Sequence, residues 1–317
     1  MGKQISITVS APCKIHLLGE WAVVWGKPAL LTTVDLRITA TISPSTHVIA
    51  SEAKQSQNLR KIIEPIVKKE LKIKSLPTYR LAISSQIPIG SGLGSSAAAS
   101  STYIAALLSF LKVKWDLGLI NKLSYVAEKV FHGNPSGADP ATVIFGGLIW
   151  FRKEQESLKI IQKLPFSIPS KLAKNFVIIN TGTPNQNTKQ MITKITALFD
   201  KKPKIKEKFL TQQEKLVREL LTVIKEGTSD IEMIRIIRAG ERNLETIGVC
   251  SPTVKKIIRQ IEKSGGAAKI CGAGAFSGPT GVLLCYHKNP KVLEKVAKLN
   301  NLVYFKAKLD VEGLRQE

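Results

Sequence analysis

A glycine- and serine-rich stretch, PIGSGLGSSAAAS at residues 88–100, is the part of the chain whose residue types point most directly to chemistry. Gly90, Gly92 and Gly94 lack a Cβ and can adopt positive φ, so the backbone can curl and bring its N–H groups close to a ligand. An alanine-rich helix, predicted to begin near Ser95, adds unpaired N–H groups and the positive end of its dipole. The stretch predicts an anion site suited to the phosphates of a nucleoside triphosphate.

The spacing of these glycines does not match two common phosphate-binding motifs. No lysine follows as in the GxxxxGK[ST] P-loop, and the glycine spacing and the lack of a ribose-binding acid disfavour a dinucleotide fingerprint. A glycine-rich turn that only leads into a tightly packed helix is the competing interpretation, and the loop by itself favours neither. The choice depends on the rest of the chain.

Three further segments combine charged residues with glycine. They are APCKIHLLGEWAVVWGKPAL (residues 11–30), FHGNPSGADP (131–140) and AAKICGAGAFSGPTGVLLCY (267–286). The first holds Lys14 and Glu20 around a short strand, and the second places Asp139 just after a Pro-Ser-Gly turn. The third supplies a second glycine-rich loop.

In order and spacing, these four segments resemble the GHMP kinase superfamily. GEWAVVWGKPAL and HGNPSGAD look like its mevalonate kinase family in particular. Glu128 stands eleven residues before Asp139, which is the separation that this family uses between its metal-binding glutamate and its catalytic aspartate. The joint occurrence of these features is far more specific than any single loop.

The resemblance implies a site for ATP and Mg²⁺. The first glycine-rich loop would wrap the ATP phosphates with Gly90, Ser91, Gly92, Leu93, Gly94, Ser95 and Ser96. The second loop would lie on the phosphate side with Gly272, Ala273 and Gly274. The Ser96 hydroxyl and the Glu128 carboxylate would hold Mg²⁺, a cation that prefers hard oxygen ligands and keeps several waters.

The resemblance also implies which residues carry the reaction. Asp139 would face the substrate hydroxyl that attacks the γ-phosphorus, and Lys14 would pair with Asp139 and the transferring phosphoryl group. Because the charge of the loose transition state lies on the equatorial oxygens, positive groups such as Lys14 should contribute more than a strong base. The implied acceptor is mevalonate, phosphorylated on its 5-hydroxyl. The implied substrate contacts are Lys14, Glu20, Asp139 and Thr181.

Each of these residues also has a purely structural interpretation. Lys14 could be an ordinary lysine at a strand edge, and Asp139 could cap a helix that begins at Pro140. Glu20 could belong to a buried ion pair, and Thr181 could lie in a polar turn before a helix. Capping and catalysis are compatible, so only the arrangement in space separates these interpretations.

Several residues depart from the family pattern. The family usually has glycine where Cys13 stands, histidine where Trp21 stands and threonine where Cys271 stands. Its last motif continues as a glycine run, which residues 275–277 interrupt here with Ala-Phe-Ser. These departures leave open another acceptor, such as phosphomevalonate, the 3-hydroxyl of mevalonate, homoserine or a sugar. A catalytically silent sensor or nucleic-acid-binding protein of the same fold is a further alternative.

Hydrophobic spacing predicts the elements that position these residues. Strands are predicted at residues 4–10, 34–42, 46–51, 78–87, 175–180, 267–271, 281–286 and 302–308. Helices are predicted at 57–72, 119–131, 188–200, 206–226, 230–246, 253–264 and 290–299. Glu128 lies roughly 130° from the apolar stripe of its helix, so we expect it to face solvent or a cleft. Residues 151–170 are lysine-rich and irregular, which predicts a domain junction.

The predicted order suits antiparallel strands with helices on one face, an α+β arrangement. The resemblance implies the GHMP kinase two-domain fold. Its ribosomal protein S5 domain 2-like N-terminal domain would span residues 1–165 and carry the ATP-binding and catalytic motifs, and its ferredoxin-like C-terminal domain would span 166–317. A chain of 317 residues that is 44% hydrophobic is long enough to bury two cores.

Composition narrows the expected partners. Lys and Arg number 47 against 24 Asp and Glu, and the net charge of +23 attracts nucleotides, acidic metabolites, nucleic acid or anionic membranes alike. The lysines are interleaved with glutamates and only 6% of residues are aromatic, which disfavours a base-stacking groove. The four cysteines show no paired pattern, and no run approaches the ~18 apolar residues of a membrane span. We expect a cytoplasmic enzyme with a small-molecule substrate and neither nucleic acid nor membrane as partner, and a homodimer stays open.

Overall fold

The structure, a computed structural model, describes residues 6–45, 54–86, 92–133, 135–227, 229–306 and 308–317. The strands are β1 (Ile7–Leu18), β2 (Ala29–Pro44), β3 (Tyr79–Ser85), β4 (Leu148–Lys153), β5 (Lys159–Lys163), β6 (Phe176–Asn180), β7 (Ala267–Ile270), β8 (Val282–Tyr286), β9 (Val303–Phe305) and β10 (Arg315–Gln316). The helices are α1 (Lys54–Leu71), α2 (Ser95–Phe110), α3 (Leu117–His132), α4 (Ala138–Phe145), α5 (Ser170–Ala173), α6 (Thr188–Lys201), α7 (Pro203–Glu226), α8 (Asp230–Thr246), α9 (Pro252–Lys263) and α10 (Pro290–Leu299).

The first half of the chain is built on an antiparallel sheet in the order β10-β1-β2-β4-β5, with β3 also paired to β2. Strand β2 is long enough to pair with β4 near its start and with β3 near its end. Helix α2 packs on β1 and β2 and is buried nearly all round. A helix without a solvent face needs few large polar residues, which explains its Ala- and Ser-rich sequence. This packing holds the first turn of α2 beside β1.

The second half contains an antiparallel sheet in the order β7-β8-β6-β9. Helices α8 and α9 pack against β7, and α10 packs against β6. Helix α7 contacts both α8 and the first half of the chain. Lys27 Nζ lies 2.8 Å from Glu214 Oε2 on α7, an ion pair that joins the two halves. The mixed helix-and-sheet architecture confirms the predicted α+β class.

Most predicted elements are observed with shifted ends, and β1 and β2 extend well beyond the predicted ranges 4–10 and 34–42. The predicted strand at 46–51 lies outside the described residues, as do a few residues of three other predicted strands. No helix within the described ranges is long and apolar enough to cross a bilayer.

The prediction of an irregular junction over residues 151–170 is wrong for its first part. Strands β4 and β5 form a hairpin there, with Arg152 opposite Ile160. Strand β5 is the last strand of its sheet and carries the half-buried Lys159 and the exposed Lys163, and charged side chains on an edge strand discourage pairing with other chains. These lysines also interrupt the hydrophobic alternation, so the sequence pattern did not predict β5 as a strand.

The end of the chain returns to the first sheet. Strand β10 pairs with β1, with Val9 opposite Gln316 and Ser10 opposite Arg315. Residues after 308 therefore contact the half of the structure that was predicted to end at residue 165. The domain limits themselves stay a prediction.

Glu241 on α8 is a buried carboxylate that faces β7. Its Oε2 accepts a hydrogen bond from the Ile270 N–H at 2.9 Å, and its Oε1 has no hydrogen-bond partner in the part of the chain described here. Burial raises the pKa of Glu241 to about 7, because desolvation and the charge of Glu245 outweigh the opposing effects of Ile270, Cys250 and Lys269.

A folded-state pKa above the ordinary value of 4.5 gives the protein a pH-dependent stability. The contribution is present below about pH 4.5 and is lost as the pH rises through about 7. We expect E241Q to have a free energy of unfolding that changes less between about pH 5 and about pH 8, by on the order of 3 kcal/mol. Urea denaturation across this range measures the effect, and E207Q, at an exposed position of α7, is the control. Parallel profiles for wild type and E241Q would contradict the assignment.

Candidate active site

A cavity of about 740 Å³ opens between the two halves of the chain. Its wall combines Lys14 on β1, the start of α2, the end of α3, the first turn of α4 and the loop at residues 271–274. Residues 183–187, before α6, complete the opposite side. The volume falls within the ~300–1,000 Å³ typical of small-molecule sites. All four segments singled out in the sequence contribute to this one cavity.

Lys14 is the most deeply buried cation in this wall, with 2% exposure. Its Nζ lies 3.0 Å from Asp139 Oδ1 and 3.1 Å from His16 Nδ1. Its backbone N–H donates to the Leu93 carbonyl at 2.9 Å, which ties β1 to the first glycine-rich loop. The interpretation of Lys14 as an ordinary surface lysine is therefore wrong.

Asp139 lies in the first turn of α4, where a negative charge is stabilised by the helix dipole. The helix begins at Ala138 rather than at Pro140, and its N-cap is Gly137 at φ +94°. Asp139 is consequently not the capping residue. Its side chain is 32% exposed and lines the cavity, where Lys14 is its ion-pair partner.

Glu128 is buried in the cavity wall, on the inner face of α3. The predicted apolar stripe of this helix is wrong by roughly 60°, because Val126 and Val130 are exposed whereas Ser124 and Glu128 are buried. The Ser124 hydroxyl lies 3.0 Å from Ser101 Oγ on α2. Burying a hydrogen-bonded hydroxyl costs little free energy, so the buried face of α3 need not be its most apolar face.

The surroundings of Glu128 suit a divalent cation. Its Oε1 accepts from the Ser96 hydroxyl at 3.2 Å, and its Oε2 lies 3.5 Å from His132 Nε2. Burial and the nearby Asp139 carboxylate raise the pKa of Glu128 to about 8, against the lowering effects of Ser96 and Lys14. The two neighbouring acids share the positive charge of Lys14, so a further cation at this point would stabilise the charged form of Glu128.

No group of three or more His, Cys, Asp or Glu side chains within the described ranges is arranged to hold a metal ion. The predicted set of Ser96 and Glu128 is smaller than such a group. It still fits Mg²⁺, which commonly takes most of its ligands from substrate phosphates and water.

The two glycine-rich loops lie against each other. A Cβ at Gly92 would fall 2.9 Å from the Cys271 carbonyl oxygen, and one at Gly272 would fall 3.4 Å from Gly92 Cα. Gly92, Gly94 and Gly272 have φ of +87°, +70° and +77°, which L side chains rarely adopt. The close approach of the loops therefore explains the glycine at position 92, and the positive φ explains the glycines at 94 and 272.

Most of the predicted phosphate-binding residues lie in the cavity wall. They are Gly92, Gly94, Ser95, Ser96, Gly272, Ala273 and Gly274. Leu93 does not line the cavity, because its side chain is in the hydrophobic core and only its carbonyl serves the site, through Lys14. Gly90 and Ser91 lie outside the described residues.

Gly94 supports the side chain of Lys14. A Cβ at this position would fall 2.8 Å from Lys14 Cγ, and alanine would also pay roughly 1–2 kcal/mol for the left-handed backbone. We expect G94A to displace Lys14 and to lower kcat at least about tenfold. Steady-state assays with G248A as control test this, because Gly248 has φ +77° with open space where the Cβ would stand. Equal activity in the two variants would contradict a role for this contact.

Glu20 satisfies parts of both interpretations given above. Its Oε1 is ion-paired with Lys269 Nζ, and both side chains are buried. Burial raises the pKa of Glu20, although the positive charge of Lys269 opposes the shift. Its Oε2 has no hydrogen-bond partner among the described residues, and Glu20 lines the cavity. Glu20 is therefore held in place by an ion pair and still has one oxygen without a partner among the described residues.

The structure places Thr181 outside the cavity wall, against the prediction of a substrate contact. Its hydroxyl donates to the Gly281 carbonyl at 2.7 Å and accepts from the Thr280 N–H at 3.0 Å. These bonds join β6 to the loop before β8. Thr183 and Thr188 line the cavity instead.

Trp21 and Phe276, two bulky residues that depart from the family pattern, differ in whether they line the cavity. Trp21 lines the cavity at a strained φ of +64°, and its ring stacks on Trp25 at 6.2 Å between centroids. Trp25 in turn packs edge-on against Phe199 of α6 at 4.7 Å. Phe276 does not line the cavity, and Lys194 Nζ lies 3.6 Å from the centre of its ring. The indole, rather than the phenyl ring, shapes the site.

Several polar residues in or beside the cavity wall were not predicted from the sequence, among them His16, His132 and Thr280 in the wall and Lys269, the ion-pair partner of Glu20. The period of two along β1 places His16 on the same face as Lys14, which is a signal that could have been used. His132 lies one helical turn after Glu128, at i+4. Lys269 offered only a charge within a short apolar strand.

Comparison with known proteins agrees with this geometry. Residues 58–147 match the family model described as the GHMP kinases N terminal domain. A mevalonate kinase from Archaeoglobus fulgidus is 30% identical over 269 residues, which cover 84% of this chain and 88% of that enzyme. The Homo sapiens mevalonate kinase is 25% identical over an alignment of 350 residues, which covers 88% of this chain and 85% of that enzyme.

Solved structures show the same fold. A Methanococcus jannaschii mevalonate kinase aligns with a TM-score of 0.76 at 20% identity, covering 98% of this chain and 99% of that one. Fold and site together define a GHMP kinase. On the similarity to the A. fulgidus enzyme, the chain belongs to the mevalonate kinase family.

Proposed function

We propose that this protein is an ATP-dependent mevalonate kinase, which transfers the γ-phosphoryl group of ATP to the 5-hydroxyl of mevalonate and supplies 5-phosphomevalonate for isoprenoid precursor synthesis. The observation that carries the proposal is the Lys14–Asp139 pair, 3.0 Å apart in a cavity that both glycine-rich loops line, in a chain of the mevalonate kinase family.

Asp139 and Lys14 divide the work of phosphoryl transfer. The Asp139 carboxylate orients the acceptor hydroxyl and takes its proton as the new oxygen–phosphorus bond forms and the bond from the γ-phosphorus to the β-phosphate oxygen breaks. The Lys14 ammonium places positive charge where the transferring group gains negative charge. Its burial strengthens this interaction, because little water screens it.

The glycine-rich loops account for ATP binding. Gly92, Gly94, Ser95 and Ser96 of the first loop line the cavity together with residues 272–274 of the second, and the start of α2 adds its dipole and its unpaired N–H groups. Ser96 and Glu128 would hold Mg²⁺, which when bound supplies positive charge that neutralises the phosphates. Burial and the Asp139 carboxylate raise the pKa of Glu128, and a bound cation would offset this cost of its charged form, which supports the assignment.

An acceptor screen that follows ADP release tests the proposal. We expect turnover with mevalonate and little or none with phosphomevalonate, homoserine or galactose, and a phosphorus NMR spectrum of the product should identify the 5-phosphate. Turnover of phosphomevalonate but not mevalonate would overturn the substrate. No ADP release with any alcohol would favour the silent sensor instead.

We also infer that the reaction takes place in the cytoplasm without nucleic acid or membrane partners, and that a homodimer is compatible with the proposal. The lysine excess supports attraction of acidic substrates rather than a dedicated polyanion site. Tight, steeply salt-dependent binding of single- or double-stranded nucleic acid would contradict this inference.

A further inference from the structure

The cavity wall contains a concentration of polar atoms without partners. Within the described residues, eleven buried side-chain nitrogen or oxygen atoms lack a hydrogen bond. Four of them belong to residues that line this cavity: His16 Nε2, Glu20 Oε2, Trp21 Nε1 and Thr280 Oγ1. Because a buried polar atom that stays unpaired destabilises the protein, their grouping in one wall points to a ligand that supplies the partners.

The hydrogen-bond role of His16 follows from its neighbour. Lys14 Nζ lies 3.1 Å from His16 Nδ1, and an ammonium group can only donate. His16 Nδ1 must therefore accept, which places the ring proton of the neutral imidazole on Nε2. Burial and the charges of Lys14 and Lys269 lower the pKa of His16 well below its usual value, so the ring stays neutral. Nε2–H is consequently a buried donor without an acceptor.

The backbone of β1 explains why this donor belongs to the site. Lys14 and His16 share one face of the strand, and the pairing of β1 with β2 becomes irregular between His16 and Leu18. Such bulges commonly re-aim side chains beside active sites. The His16 carbonyl also accepts from Lys269 Nζ at 3.1 Å, which fixes the residue next to Glu20.

We propose that His16 is a substrate-binding residue, whose Nε2–H donates a hydrogen bond to an oxygen of the acceptor alcohol while its Nδ1 holds the Lys14 ammonium beside Asp139. The inference rests on the kinase function proposed above. Trp21 and Thr280, which line the same cavity, also have unpaired donors that the acceptor could satisfy. Two or more donors facing one ligand select an oxygen-rich molecule such as a hydroxy acid.

Two substitutions separate the two nitrogens of His16. In H16N, the amide oxygen can replace Nδ1 as the acceptor for Lys14, but nothing replaces the Nε2–H donor. In H16Q, the longer side chain can restore a donor near Nε2 but offers Lys14 no acceptor at Nδ1. We expect H16N to raise KM for mevalonate about tenfold or more, with a smaller change in kcat and KM for ATP within about twofold. We expect H16Q to keep KM for mevalonate near the wild-type value and to lower kcat.

His287→Asn is the matched control, because His287 is a half-buried histidine that does not line this cavity. Thermal denaturation establishes that each variant is folded. Wild-type turnover of mevalonate with an unchanged KM in H16N would overturn the role of His16 and leave the proposed function intact. If the wild type phosphorylates a different alcohol, the proposed function fails and the same variants are assayed with that alcohol. An unchanged KM for it in H16N would then overturn the role of His16 as well.

Discussion

Replacement of Asp139 by Asn is expected to lower kcat by about 10²–10⁴-fold while leaving ATP binding nearly unchanged. Asparagine keeps the shape of the side chain and can still accept a hydrogen bond from Lys14, which lies 3.0 Å from the carboxylate. It cannot take up the proton of the attacking hydroxyl. Steady-state kinetics with mevalonate measure the loss, and a fluorescent nucleotide reports ATP affinity.

The control for this variant is Asp200→Asn, at an exposed position of α6. It removes the same charge away from the cavity, so its kcat should equal that of the wild type. D139N that retains more than about a tenth of wild-type kcat would rule out proton acceptance by Asp139. Loss of ATP binding together with activity would instead indicate a structural role at the start of α4.

The motifs predicted which residues come together at the cavity better than hydrophobic spacing predicted which helix faces are buried. Lys14, Glu128 and Asp139 were identified through motifs, whose glycines and acids reflect close backbone approach and charge, and the structure brings all three into one cavity. Their roles stay predictions. Hydrophobic spacing predicted the wrong buried face for α3. Ser124 is buried with a hydrogen bond to Ser101, and Glu128 is buried in the cavity wall, and residue hydrophobicity predicts neither.

The unpredicted parts of the site depend on contacts between distant parts of the chain. Lys269 pairs with Glu20 across the two halves, 249 residues apart, and no local pattern relates them. The hydrogen-bond role of His16 can be inferred only from its contact with Lys14, because the contact at Nδ1 decides which ring nitrogen carries the proton. Thr181 was predicted to contact the substrate, but it lies outside the cavity wall. Its hydroxyl is hydrogen-bonded to Gly281 and Thr280 in the loop before β8.

The position of Trp21 bears on acceptor choice. Its indole lines the cavity beside Glu20 and connects through Trp25 to Phe199 on α6, so it also joins the two halves of the chain. An aromatic ring with one N–H donor adds apolar area next to a polar wall. This combination favours an acceptor with both a hydrocarbon part and several oxygens, as mevalonate has, over a fully polar sugar.

Replacement of Lys14 by Met is expected to lower kcat by about 10²–10³-fold, the range found when one donor to a developing negative charge is removed. Methionine keeps the apolar stem that packs over Gly94 but carries no charge, so Asp139 loses its ion-pair partner and the phosphoryl group loses its cation. Because Asp139 is 32% exposed, water can solvate its carboxylate, and K14M should stay folded.

The kinetic pattern separates this role from that of Asp139. K14M should also raise KM for ATP, because the proposed function places Lys14 against the phosphates before transfer as well, whereas D139N should not. Lys215→Met, on the exposed side of α7, is the control and should match the wild type in both constants. If K14M keeps a thermal midpoint near the wild-type value and more than about a tenth of kcat, the buried Lys14 cation would be structural, and the charge needed for phosphoryl transfer would have to come from elsewhere in the cavity.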